Sequence, residues 1–250
     1  MLKIWGRLSS FNVQKVLWLV GELGLAHEHI PAGGGFGRLD EPAFLALNPH
    51  GRVPVLQDGD VVVWESHTIL RYLAARYSGG GFWLDDPADR SRVEGWMDWS
   101  QTSLQPDFLN GVFWGYYRTP EAQRDWPAIH SSLARCAEHF RLLDRILATR
   151  PFLIGDELSL ADIPTGTSST AISSWTSSAR SCGMQPPGTS GSSCARLTAS
   201  TSYGAVRRSA RPSGVLNLST APRIGHLQSN LQRGAYNCGI WYQENDRSHG

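Results

Sequence analysis

Cysteine is scarce in this chain: Cys136, Cys182, Cys194 and Cys238 are its only four, and no two form a C-x-x-C pair. That excludes a disulfide-stapled scaffold and argues against metal or dithiol redox chemistry. Long apolar runs are missing too, since nothing approaches the ~18 residues that a membrane-spanning helix needs. The first twelve residues turn polar after a short apolar start, so a soluble cytoplasmic protein without a membrane partner is expected. Excess charge is absent as well. With 23 basic and 22 acidic residues the chain carries a formal net charge of +1, which gives no bulk electrostatic reason to expect nucleic acid. A small-molecule partner is the expectation, and 250 residues suffice for two modest domains.

One absence is local. Asp162 is the last acidic residue before Glu244, and seven arginines fall between them. Serine crowds the same region, with 14 in the 46 residues from Ser168 to Ser213 against 10 in the preceding 167. Neither helical nor strand periodicity is present there. A disordered basic tail, an RNA-binding appendage and translation in the wrong frame all fit such a composition. The RNA reading lacks interleaved aromatics and any motif. Reading GC-rich codons for Ser169 to Ala179 one base earlier gives an amphipathic, helix-like segment, and Met184 to Val206 behaves alike, so a frameshift near Gly166 is expected.

Before that point the patterns are orderly. Leu2 to Trp5 reads as a strand, Gly6 to Asn12 as a loop, and Val13, Val16, Leu17 and Val20 as the apolar face of a helix that Gly24 ends. His27 to Pro31 supplies a second strand and Glu41 to Leu47 a short helix. Arg52–Leu56 and Val61–Trp64 form a hairpin across Gln57-Asp58-Gly59-Asp60, and Ser66 opens a helix through Ile69, Leu70, Leu73 and Tyr77. The order is βαβαββα. Two long helices follow, Pro87 to about Trp114 and Pro120 to Leu147, and Ser159-Leu160-Ala161-Asp162 is a capping signal for another.

Four features in order (Ser10-Phe11-Asn12-Val13 after the first strand; Asn48-Pro49 with Arg52-Val53-Pro54; Glu65-Ser66; Ser159 to Asp162) resemble those of soluble glutathione transferases, most closely the bacterial theta-like kind. The resemblance covers the chain to about Thr167. It implies an α/β thioredoxin-like domain over residues 1–80, a partial all-α domain over 86–167, and an atypical tail over 168–250. It further implies a homodimeric transferase that joins glutathione, as co-substrate, to a small electrophile, with no metal or other cofactor. A non-catalytic interaction module and an inactive frameshifted product are the alternatives.

By the same resemblance Ser10 is the catalytic residue, donating to the glutathione sulfur, with Ser9 or Asn12 able to take that part. Val53-Pro54 carries a cis peptide and pairs through the Val53 backbone with the cysteinyl portion. Ser66 takes the γ-glutamyl carboxylate at a helix N-terminus, Glu65 its amine, and Arg52 or His50 the glycyl end. Trp114, Tyr116 and Tyr117 fall where an electrophile would sit, although aromatics so placed serve equally well as core. The Ser10 loop has no cysteine, which argues against thiol-based variants of the fold, and no tyrosine.

Overall fold

In the computed structural model, which describes residues 1–168, Leu2 and Ile4 of β1 (Leu2–Trp5) are buried while Lys3 between them is exposed. This period-2 alternation fixes which face of the sheet meets the core. β1 pairs in parallel with β2 (His27–Ile30) and antiparallel with β3 (Val55–Asp58), and β3 pairs antiparallel with β4 (Val61–Trp64). The order across the sheet is β2-β1-β3-β4.

Leu2, Ile4 and Leu56 pack with Val16, Leu19 and Val20 of α1 (Phe11–Glu22) and with Ile69, Leu70 and Leu73 of α3 (Ser66–Tyr77). The alternate residues Trp5 and Val55 meet Phe44 of α2 (Pro42–Leu45) on the other face. The βαβαββα order read from the sequence is therefore present. Gly24, at φ 63°, ends α1 just beyond its cap residue Leu23. β3 begins three residues later than Arg52, past Pro54, which has no N–H for a ladder, and it runs through Asp58. The hairpin loop is thus the pair Gly59-Asp60.

α4 (Pro87–Trp99) starts from Asp86, whose carboxylate accepts from the backbone N–H groups of Ala88 and Asp89. Past Trp99 the rod continues with π-helical turns over Ser100–Leu104 and Asp107–Tyr117, three residues beyond the expected end at Trp114. α5 (Trp126–Leu147) begins six residues later than Pro120. A 3-10 turn, Glu121–Gln123, occupies the gap, and Asp125 caps the helix by accepting from the Ala128 N–H at 3.0 Å. Ile129, Cys136, Phe140 and Leu143 of α5 are buried, whereas Leu133 and Leu147 of the same stripe are partly covered.

One hydrophobic cluster runs from the sheet through Val93, Met97, Leu104 and Phe108 to Phe140, Leu153 and Ile163. The helix announced by Ser159 to Asp162 forms over residues 162–168. Its buried hydroxyls bond back to its own turns: Thr165 to the Ala161 carbonyl, Thr167 to Ile163 and Ser168 to Pro164. Apart from Ser168, the expected atypical tail and the reading-frame reading of it lie outside the described residues. Among the described residues no helix is long and apolar enough to cross a membrane.

Candidate functional site

α1 begins where β1 hands the chain to a short loop, and Ser10 is its N-cap residue with extended backbone angles (φ −84°, ψ 121°). A serine here usually accepts a hydrogen bond from the first turn. This one makes no such cap, so its hydroxyl is uncommitted and only partly covered, while Ser9 is exposed. Phe11 packs against Phe108 and Phe113, with ring centroids 5.6 and 5.8 Å apart, fastening the loop to the helical rod. Gly6 at the loop's start has φ 150°, and a Cβ there would run into the Val13 side chain, so only glycine fits.

The second element is the bend before β3. Asn48 is buried and uses both ends of its amide: Nδ2 donates to the Arg52 carbonyl at 2.8 Å, and Oδ1 accepts from the His50 N–H at 3.0 Å. Gly51, at φ 58°, lies so close to the Leu39 carbonyl that a side chain would collide with it. These ties fix the backbone at Arg52, ahead of the buried Pro54, and the Val53-Pro54 peptide is cis.

The third is the start of α3. Glu65, rather than Ser66, is the N-cap residue, and it holds a left-handed backbone at φ 68°. Such a conformation costs a non-glycine residue about 1–3 kcal/mol and gathers at binding sites. Ser66 is the first residue of the helix, buried beside its unpaired N–H groups.

These elements surround a cavity of about 270 Å³. Of the site residues singled out from the sequence, six line it: Asn12, Arg52, Val53, Pro54, Glu65 and Ser66. Ser10 does not; it lies two residues before Asn12 at the same helix end. Asn48, Gln101 and Gln105 complete the lining. The two glutamines come from the π-helical part of the rod, and nothing in a helical pattern distinguishes them from ordinary surface residues. Asn12 leaves its side-chain oxygen buried without a partner among the described residues, an acceptor that a bound donor would satisfy.

A larger, open cleft of about 450 Å³ lies between the glycines at 33, 34 and 37 and Pro49-His50-Gly51. It is lined mainly by glycines and aliphatic side chains and lacks the clustered polar groups of the smaller cavity, which is therefore the candidate site. His50 belongs to that cleft, meets Trp64 edge to face at 5.1 Å, and does not line the smaller cavity. Of the expected aromatic group, Trp114 is 51% exposed beneath the Arg118 guanidinium, and Tyr116 packs on Trp126. The Tyr117 side chain lies outside what is described.

Beneath the cavity is Lys15, a residue that the helical pattern of α1 does not single out. It is 0% exposed. Its Nζ donates to Gln105 Oε1 at 2.6 Å and sits 3.1 Å from His67 Nε2. Burial pushes the lysine down to about 7, partly opposed by the Glu65 charge. Burial, then the charges of Lys15 and Arg71, pushes His67 down to about 2, so its ring is neutral. The i, i+3 step from Asn12 to Lys15 and the i, i+4 step to the buried Leu19 were the available signal. Among the described residues no group of three or more His, Cys, Asp or Glu side chains could hold a metal ion.

Residues 5–81 match the family described as "Glutathione S-transferase, N-terminal domain". Over 165 residues the chain is 44% identical to glutathione S-transferase GstB of Escherichia coli K12, covering 65% of this chain and 79% of that one. It is 33% identical to glutathione S-transferase 3 of Zea mays, covering 64% and 73%. Among solved structures it resembles the theta class glutathione S-transferase of Xanthomonas axonopodis pv. citri with glutathione bound, at TM-score 0.63 and 35% identity over 96% of both chains. A glutathione S-transferase from Pseudomonas fluorescens gives TM-score 0.60 at 29% identity, covering 68% of this chain and 83% of that one. With a thioredoxin-like sheet, a cis proline beside a helix N-terminus and relatives of this similarity, the chain belongs to the glutathione S-transferase family.

Proposed function

We propose that this protein binds glutathione in the 270 Å³ cavity and joins it, through its thiolate, to small electrophiles. The observation that carries this reading is the convergence of Asn12, Arg52, Val53, Pro54, Glu65 and Ser66 on one cavity beside an uncommitted Ser10 hydroxyl. The start of α3 offers unpaired N–H groups and the positive end of a helix dipole to the γ-glutamyl carboxylate, with the Ser66 hydroxyl adding a donor. Glu65 faces the neighbouring ammonium. The Val53 N–H and C=O pair with the cysteinyl backbone as an added strand would. Arg52 meets the glycyl carboxylate, and the free Asn12 oxygen accepts from a peptide or thiol donor.

Ser10 donates its hydroxyl hydrogen to the sulfur. A hydrogen bond to a charged group is worth about 1.5–3 kcal/mol, and at about 1.4 kcal/mol per pKa unit this brings a thiol near 8.5 down by about one or two units. The thiol proton goes to solvent, the thiolate lone pair forms the new S–C bond, and the leaving group departs with the electrons of the broken bond. The electrophile sits against the aromatic side formed by Phe11, Phe113 and Trp114. The protein works as a homodimer in the cytoplasm, where glutathione is plentiful.

The test has two parts: retention on immobilised glutathione with elution by the free peptide, and turnover of a chromogenic aryl halide. Failure to be retained would remove the reading. Retention without turnover of any aryl halide, alkyl halide or peroxide would leave a binding module in its place.

A further inference from the structure

A lysine with no water around it ordinarily has a carboxylate beside it. Lys15 has none within ion-pair distance among the described residues. Its two partners are neutral: the Gln105 amide oxygen from the helical rod and the His67 ring from α3. α1, its own helix, offers no charge in its first turn. From α3, Arg71 faces the pair, but Glu94 at 3.1 Å and Asp98 at 2.7 Å from α4 already answer that charge. Glu65, at the head of α3, acts on Lys15 at longer range, and Glu65 lines the cavity. Asn12, one turn before Lys15, and Gln105, its acceptor, line it too. Among the described residues, the side from which a further counter-charge can reach this amine is the ligand cavity, which Asn12, Glu65 and Gln105 line.

We propose that Lys15 is a positioning residue of the glutathione site, a buried amine that takes up a proton when the anionic peptide fills the cavity and that orients Gln105 toward the ligand. The inference rests on the functional reading above. Because Lys15 holds the oxygen of the Gln105 amide, the Nε2 donors of that amide are turned away from the lysine and free for the peptide. In the free protein the amine titrates near neutrality, and a carboxylate above it favours the ammonium form. Binding and protonation are then linked, so each strengthens the other.

S-methylglutathione isolates the effect, because it has the peptide's carboxylates but no thiol to release a proton. Titration calorimetry at pH 8 in phosphate and in Tris, whose ionisation enthalpies differ, counts the protons exchanged. Wild-type protein is expected to take up about half a proton or more per site, and its affinity to fall several-fold between pH 7 and pH 9. Lys15→Met should bind more weakly at pH 7, with no uptake. Lys15→Arg, which stays charged, should restore affinity with a flat pH profile. Gln105→Glu supplies the missing carboxylate from the protein and should abolish the uptake while the lysine remains. Binding without uptake in the wild type overturns the proposal whatever the variants do, and so does undiminished uptake in Lys15→Met or Gln105→Glu. No binding at all would remove the functional reading, and this inference with it.

Discussion

Ser159 donates its hydroxyl to Asp162 Oδ2 at 2.7 Å, while the Ser159 backbone N–H donates to the same oxygen at 2.9 Å. The other oxygen, Oδ1, accepts from the Leu153 N–H at 2.8 Å, so one buried carboxylate closes the loop that leads from α5 into the helix at 162–168. Burial raises the Asp162 carboxyl above its ordinary value, against the pull of these donors. Asp162→Ala would strand the buried Leu153 N–H and the partly buried Ser159 N–H, at about 1–3 kcal/mol for a fully buried group. A loss of about 3 kcal/mol is expected in urea unfolding, with Asp162→Asn losing less because it keeps an acceptor.

Gly111 and Ser132 bring the rod and α5 into contact. A methyl group at 111 would overlap the Ser132 hydroxyl and Cβ, and both belong to helices that cannot give way locally. Gly111→Ala should therefore destabilise the protein by about 1–3 kcal/mol. Thermal melts of Gly111→Ala, Ser132→Gly and the double variant check this: if the clash is the cause, the double variant is more stable than the sum of the two single effects allows.

At the site, Ser10→Ala should lower kcat by about 10- to 100-fold with little change in the KM for glutathione, the loss expected for one hydrogen bond to a charged sulfur. Ser66→Ala should do the reverse and weaken peptide binding. Steady-state kinetics with a chromogenic aryl halide separates the two. Unchanged turnover in Ser10→Ala would move the role to Ser9 or Asn12.

Stability should rise with pH in two windows. Lys15 is down from 10.5 to about 7 in the fold, so between those values the unfolded chain binds more protons than the native protein. Its penalty is whole below pH ~7 and relieved as pH climbs toward ~10.5. His67, down from 6.5 to about 2, acts in the same direction in the acid window between those values. Urea midpoints measured from pH 7 to pH 9 should climb in the wild type and flatten in Lys15→Met.

Much of this was legible in the sequence because alternation and helical stripes encode which side of an element is dry. β1, β4, α3 and α4 start where their patterns and caps put them, while α1 starts at Phe11, two residues inside the expected loop. α5 does not, because Pro120 looks like a first helical residue while the true cap, Asp125, sits behind a 3-10 turn. The π-helical register was illegible, since the same apolar spacing fits an α-helix. At the site, local motifs marked Asn12, Asn48, Arg52, Val53, Pro54, Glu65 and Ser66, seven of the nine residues that line the cavity. Gln101 and Gln105 arrive by tertiary packing, which no local motif records. Lys15 was missed for a simpler reason: a lysine in an amphipathic helix is normally wet, and the partners that hold this one, His67 and Gln105, lie 52 and 90 residues away.

That separation bears on how the protein is made. At about 5–20 residues per second, the ribosome needs roughly 5–18 s after Lys15 is joined to add Gln105. For that interval, and until the rod leaves the exit tunnel, the sheet and its first helices must wait with a charged amine where a dry pocket floor will later be. The nascent first segment has a reason to stay open at α1. Closure of the cavity then waits for the rod, the piece that shuts water out.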